Sequence, residues 1–507
     1  MIIRLSPISL LLAALIILLT GMQPAFAASY HIDATGGDDN NPGTSPATAW
    51  QTLGEASAMD YEPGDQILLK RGEVFVGKLL VRNDSGADGN PILIGEYGTS
   101  PDRAVIDASG EKAAIDVSAT EYIEIENLEL IGAGVLGSAF WWSAPARVWE
   151  HVHIRDLYIH DTTTDAINFY VSNLGGYTYR DILITGCLIE NIGGHGVTIN
   201  KWAGNGLKTV KAIGAADSAR MPGTYSGVTA MNLDQTQITP ALFTVTVDSS
   251  GAAGITLTEK GAGYKANDHL VVSDTDLGGG GAADLTFQAD TVQPAEPNAF
   301  FHEDIVIRNN TITNVDGAGM QVGKIANGLV EGNIVTDPGR DYDKAGSGIW
   351  TWYTGTPSTS FVVQHNSFTG SQGDTDSCGA HIDIGCINTI YQYNLSRNNE
   401  GGFMEILGKS YNSVYRYNIS INDGGRIKGN GGAVQEGRTF FLGGYTGVGG
   451  TKEGPYNSYI YNNTIFVGAD IVSKYELQSY ASGALFANNV IYIEGGAEDI
   501  ESSTMPT

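Results

Sequence analysis

The chain has 507 residues, of which 67 are glycine and 16 proline, and 42% are apolar. Glycine stands at about twice its usual share, yet that apolar fraction is enough to build a core, which excludes a disordered low-complexity chain. Twenty-eight Lys and Arg against 56 Asp and Glu leave a net charge of −28, which excludes nucleic-acid binding and docking on anionic membranes, since both need basic surface.

Residues 1–27 read as a secretory signal peptide. Arg4 supplies the positive start, Leu10 to Leu19 is an unbroken apolar run, Pro24 interrupts it, and Ala25-Phe26-Ala27 is a small-x-small cleavage site. The run is short for a membrane span, and no later segment approaches the roughly 18 apolar residues that crossing requires. The mature protein is therefore expected to be secreted, extracellular or periplasmic.

Residues 28–110 read as an N-terminal cap and first coils. Gly36-Gly-Asp-Asp-Asn-Asn-Pro-Gly-Thr44, Trp50-Gln-Thr-Leu53 and Pro63-Gly-Asp65 alternate turn signals with short apolar runs, and residues 54–60 are expected to form a short amphipathic helix closing the first coil. From 111 to 203, and again from 298 to 507, one unit recurs: an alternating apolar run, an Asn, another apolar pair, a Gly-rich turn and a second alternating strand. Copies include Ile123-Glu-Ile-Glu-Asn127, Ile305-Val-Ile-Arg-Asn-Asn310, Leu329-Val-Glu-Gly-Asn333, Phe361-Val-Val-Gln-His-Asn366, Ile390-Tyr-Gln-Tyr-Asn394, Val414-Tyr-Arg-Tyr-Asn418, Tyr459-Ile-Tyr-Asn-Asn463 and Leu485-Phe-Ala-Asn-Asn489. Several spacings cluster between 23 and 28 residues, with inserted loops stretching others to 33 and 45.

Such a coil is too thin to bury its own apolar face, so coils stack ~4.8 Å apart and share one core. An Asn at one fixed phase tolerates left-handed backbone and can hydrogen-bond to its copies along the stack, something a β-sandwich has no need of. The expected fold is all-β, a right-handed parallel β-helix (solenoid) with an N-terminal cap and a small inserted β-domain. The insert is residues 204–297, where Phe243–Val247, Gly254–Thr258, His269–Ser273 and Asp284–Gln288 are strand-like and Gly278-Gly-Gly-Gly281 is a linker. Three cysteines make an odd, poor disulfide framework. Cys378 and Cys386 flank a strand whose length holds them beyond the ~7 Å limit of a bridge, so all three are expected to be buried thiols.

The opening segment and the Asn-containing coils from 122 to 494 resemble secreted right-handed parallel β-helix proteins of the pectate-lyase-like superfamily. That resemblance implies a scaffold shared by polysaccharide lyases, glycoside hydrolases, epimerases, tailspikes and adhesins, and so specifies fold more closely than reaction.

The second strand of each unit aligns on a leading small residue, from Ala166-Ile-Asn-Phe-Tyr170 through Gly196-Val-Thr-Ile-Asn200, Gly319-Met-Gln-Val-Gly323, Gly348-Ile-Trp-Thr-Trp352 and Gly379-Ala-His-Ile-Asp383 to Gly401-Gly-Phe-Met-Glu405. Period-two alternation turns Ile349, Thr351, Ile382 and Met404 inward and gathers two tryptophans, a histidine and two carboxylates outside. Asp383 and Glu405 are the candidate catalytic pair, on adjacent coils at roughly the 5 Å separation of a retaining glycosidase, with one pKa raised by the other. His381 assists proton transfer. Trp350 and Trp352, with Tyr170, offer apolar plates for sugar rings, and Asn200 shares their column. Lys324, Arg340 and Lys409 are candidate substrate contacts that would suit an acidic glycan.

The hydrolase reading requires no cofactor. Calcium is the alternative, with Asp341, Asp343, Asp374 and Asp376 as oxygen donors. The favoured expectation is a secreted glycoside hydrolase acting on a polysaccharide. The other two are a lyase or C5-epimerase on an acidic glycan, and a non-enzymatic adhesin or tailspike-like binder. Gly194-His195-Gly196 and Arg426-Ile427-Lys428 resemble two polygalacturonase motifs. In that family they lie close along the stack; here four aligned strands intervene and the aspartate motifs are missing, so the match is read as chance.

Overall fold

In strand Ile123–Glu126 both isoleucines are fully buried while the glutamates between them face outward. Repeated three times per coil, that alternation generates the molecule. In this computed structural model, which describes residues 27–139, 147–172, 178–202, 205–234, 240–261, 263–294, 301–341, 346–447 and 449–500, each coil contributes one strand to each of three parallel sheets of 13, 12 and 12 strands. The result is a right-handed parallel β-helix, the hand that crossovers between parallel strands almost always take. One apolar core runs inside the coils from Tyr30 to Val467. The expected leader, up to residue 26, lies outside the described residues. Among the described residues no helix is long and apolar enough to cross a membrane.

The first coil is closed by a helix at Leu53–Ala56, shorter and earlier than expected over 54–60. Thr52 caps it by accepting the Glu55 N–H (3.3 Å), Leu53 and Ala56 are buried, and the Ser57 hydroxyl, donating to Leu53 O (2.6 Å), ends it. Only these two apolar side chains reach the coil, so one turn suffices.

The Asn repeat divides into two roles that the sequence reading had assigned to a single residue. The left-handed corner belongs to the preceding position: Asn309, His365, Tyr393, Tyr417, Asn462 and Asn488 have φ between 53° and 57°. The Asn that follows turns inward. Each Nδ2 donates to the Oδ1 of the next coil from Asn310 through 333, 366, 394, 418 and 463 to 489, at 2.9–3.0 Å, and each Oδ1 also accepts the backbone N–H of the Asn below. Asn127 is a corner residue (φ 62°) outside this ladder; Leu128, fully buried, holds the inward position there.

Between strands Val197–Trp202 and Glu303–Arg308 the chain leaves the coil and builds two antiparallel sheets, one of four strands and one of three. Strands at Leu242–Val247, Ala253–Glu259, His269–Val272 and Leu285–Pro294 correspond to the four apolar runs; Asn205–Lys211, Gly223–Thr229 and Met231–Asn232 complete the sheets. Leu207, Phe243, Val245, Tyr264, Leu270 and Phe287 give this insert a core separate from that of the helix. The three cysteines are free and buried.

Candidate active site

The candidate residues sit on the outward face of one of the 12-stranded sheets. Strands Ile349–Thr354, Cys378–Ile382, Gly402–Ile406 and Arg438–Leu442 are neighbours in it. Trp350 is in register with His381, His381 with Glu405, and Glu405 with Phe441. This corrects the alignment expected from sequence, which set Glu405 beside Asp383 and Phe403 beside His381. Pairing runs from Cys378–Gly402 to Ala380–Met404, two residues away from the register its leading glycines suggested, and Phe403 faces the core (2% exposed). The inward expectation for Ile349, Thr351, Ile382 and Met404 holds: all four are fully buried.

The face is outward but not open. His381 and Glu405 are buried. Trp350 Nε1 donates to Asp383 Oδ2 at 2.9 Å, and its ring lies parallel to His381, 6.2 Å between centroids. His381 Nε2 lies 3.7 Å from Glu405 Oε1, beyond hydrogen-bond distance, and Glu405 Oε2 accepts from the Cys378 thiol at 3.3 Å. Asp383 Oδ1 and both nitrogens of His381 are buried without a hydrogen-bond partner. Buried polar atoms are ordinarily paired, and three unpaired ones at one spot make this the candidate site.

Asp376 is the fourth member, placed by the turn before strand Cys378–Ile382. It and Ser377 are both left-handed (φ 39° and 62°), and its carboxylate, His381 and Glu405 present atoms within 4.8 Å of one another. Burial, with the charges of Glu405 and Asp383, pushes the Asp376 carboxyl up to about 7, against the opposing pull of His381 and Arg426. Burial likewise raises Asp383, although His381 and the Trp350 N–H favour its charged form. For His381, burial works against the proton, but Glu405, Asp376 and Asp383 outweigh it and the imidazole is raised. Tyr445 is exposed and close enough that, after burial, Asp383 and Asp376 raise its phenol.

The remaining expected residues are distributed differently. Trp352 is nearly buried, its indole laid over Gly323 so that a Cβ there would come within 2.2 Å of the ring; it packs the furrow instead of offering an open plate. Tyr170 pairs in register with Asn200, on coils before Gly323 in the same sheet; the Asn200 side chain lies outside the described residues. Lys324 is buried with its ammonium over Phe301 (4.6 Å), Arg340 pairs with Asp316, and Lys409 with Glu453. These three cations are therefore committed to local partners. Of the expected calcium donors, Asp343 lies outside the described residues, and the Asp376 carboxyl faces His381. Apart from the furrow, the described residues gather one set suited to a metal, Glu124 with His151 and His153, where Arg155 already pairs with Glu124 and donates to His153. His195 accepts the Ala318 N–H (2.8 Å) and four strands separate its coil from that of Arg426, in keeping with the chance match.

What the sequence reading missed is the role of Asp376. It stands in a turn, outside the period-two pattern, and only the coil winding brings it over His381. Its signal in the sequence is one acidic residue two positions before a buried Cys.

No protein-family model matches this chain. Among curated proteins it is 24% identical to a lacto-N-biosidase of Bifidobacterium longum subsp. longum over 516 residues, which is 93% of this chain but 29% of that one. It thus spans under a third of that relative's length. A shorter match, 38% over 56 residues, covers 11% of this chain and 9% of an α-1,3-galactosidase A of Akkermansia muciniphila. Among solved structures, a GH136 lacto-N-biosidase of Eubacterium ramulus superposes with a TM-score of 0.57 at 19% identity, covering 92% of this chain and 68% of that one. At that identity the superposition shows the fold. The parallel β-helix read from the repeats is the architecture of this protein.

Proposed function

We propose that the chain is a secreted glycoside hydrolase that cleaves a neutral glycan in the furrow beside His381, with Asp376 as proton donor and Asp383 as the opposing carboxylate. The observation that carries this reading is the set of acids around one buried imidazole, in which the Asp376 carboxyl stands at about 7 while Asp383 keeps Oδ1 unpartnered. A general acid works best with its pKa near the working pH. Glycosidases need two carboxyl groups in different protonation states, one to protonate the leaving oxygen and one to meet the developing positive charge at the sugar carbon. The Trp350 N–H and the neighbouring imidazole favour charge on Asp383, whereas Asp376 is the more accessible of the two. Glu405, deeper and tied to Cys378 and His381, sets the charge of the imidazole and takes no direct part in bond cleavage.

Two features favour hydrolysis over elimination from a uronate. The matched curated proteins carry glycosidase names. The nearby cations are also engaged: Arg426 with main-chain carbonyls, Arg438 with Glu476 and Lys474 with Glu436. A uronate substrate calls for positive charge against its carboxylate, and this furrow is lined with acids. The reaction draws on protein groups alone, without calcium, and the leader read at residues 1–27 makes export part of the same proposal.

Lacto-N-biosides are the first substrates to assay, with a panel of neutral and acidic glycans beside them, in a chelating buffer and with both reducing-sugar and ultraviolet readouts. Reducing ends without an unsaturated product are expected. Asp376→Asn and Asp383→Asn should each lower kcat by about 10²–10⁴-fold, and parental turnover in either variant would remove the assignment.

A further inference from the structure

We propose that Arg426 is the positioning residue of this site: its guanidinium braces the turn that presents the Asp376 carboxyl. The proposal rests on the reading of Asp376 as proton donor. Arg426 is buried (5% exposed). Nη1 donates to Gly373 O (2.8 Å) and Thr375 O (3.2 Å), Nη2 to Asp376 O (3.2 Å) and Nε to Gln435 O (2.9 Å). Three of those four acceptors lie within the single turn 373–376. Buried guanidinium groups usually face a carboxylate fork; one closing on three carbonyls of a single turn acts as a clamp.

The turn needs one. Asp376 and Ser377 are consecutive non-glycine residues in left-handed conformation, which a side chain disfavours. Such strain persists only where the surroundings over-determine it, and it gathers at working sites. The Asp376 carbonyl is pressed against Gly401, where any Cβ would lie 1.6 Å away. The Ser377 hydroxyl donates to Gln372 O (2.7 Å) and Thr375 O (2.6 Å). Arg426 closes the remaining side and ties the turn to its own loop. That loop is anchored by Asp423, which accepts from Asn399 N (2.9 Å) and from the Ser420 hydroxyl (2.6 Å). The same cation lowers the proton affinity of Asp376, against burial and its acidic neighbours. Arg426 therefore sets both where the proton is delivered and at what pH.

Two substitutions separate these effects. Arg426→Lys keeps the charge but loses the planar fork, so kcat should fall by about 10–100-fold, the penalty of a misplaced catalytic group, with KM and the basic limb of the pH profile unmoved. Arg426→Gln loses both, and its basic limb should also shift to higher pH, because Asp376 then holds its proton more tightly. A basic limb identical in Arg426→Gln and parent, or a loss confined to KM, overturns the proposal. Should Arg426→Gln not fold, Arg426→Lys and Ser377→Ala decide: both loosen the same turn, and kcat at the parental level in both sinks the idea. Full activity in Asp376→Asn would instead defeat the underlying reading of Asp376, so the two failures are distinguishable.

Discussion

Asp376 is the residue on which chemistry and stability pull in opposite directions. A free aspartic acid titrates near 3.9, whereas in the fold Asp376 stands at about 7. The folded state thus keeps a proton that the unfolded chain has already released. The sign follows: stability is full at and below the ordinary carboxyl range and declines as pH rises toward 7, because ionisation must then occur in a partly desolvated, acidic surrounding. Asp376→Asn removes that penalty. It should match the parent in thermal melting near about pH 4 and exceed it near about pH 8, while turnover is lost. Equal melting temperatures at both pH values would mean that the carboxyl is not raised.

At the scale of the element, the Asn ladder does what no single strand can. Asn394 accepts from the backbone and side chain of Asn366, and its own Nδ2 donates to Val363 O (2.9 Å) and Asn418 Oδ1 (3.0 Å). Asn394→Ala leaves the buried backbone N–H of Asn366 without its acceptor and takes one donor each from Val363 O and Asn418 Oδ1, the latter keeping the Asn394 backbone N–H. A loss of about 2–4 kcal/mol is expected, readable by denaturant titration. A loss below about 1 kcal/mol would indicate that water replaces the side chain. The ladder stops where Cys187 N donates to Asn310 Oδ1 (2.9 Å), and beyond it Leu157 and Leu128 fill the same inward position with apolar burial. The same stack thus tolerates either solution, but not a polar group without its partner.

The whole molecule carries a charge of −28. Many local pairs exist, such as Arg155 with Glu124 and Arg180 with Glu150 and Glu303, but with half as many cations as acids the self-repulsion persists. Exposed charges further apart than ~8–10 Å are screened at physiological ionic strength. Raising sodium chloride from low to moderate concentration is therefore expected to raise the melting temperature, since net self-repulsion weakens the compact state. A melting temperature that falls with salt would show that the local ion pairs outweigh the global field.

The sequence by itself determined the architecture, because a parallel β-helix is specified by local facts repeated many times. Alternation at Ile123–Glu126, Asn at one phase and a glycine turn per coil leave stacking as the one way to bury the apolar faces. It also marked Trp350, His381, Asp383 and Glu405, because their types are unusual on a strand's outer face. Which of them touch was decided by tertiary structure. A two-residue shift of register at Gly402 moved Glu405 from Asp383 to His381, because a shift of one full period keeps a side chain outward but changes its neighbour. The roles proposed for Asp376 and Arg426 were invisible for a related reason. Both lie in turns, where no periodicity reports direction, and residues fifty positions apart meet only because two coils of winding separate them.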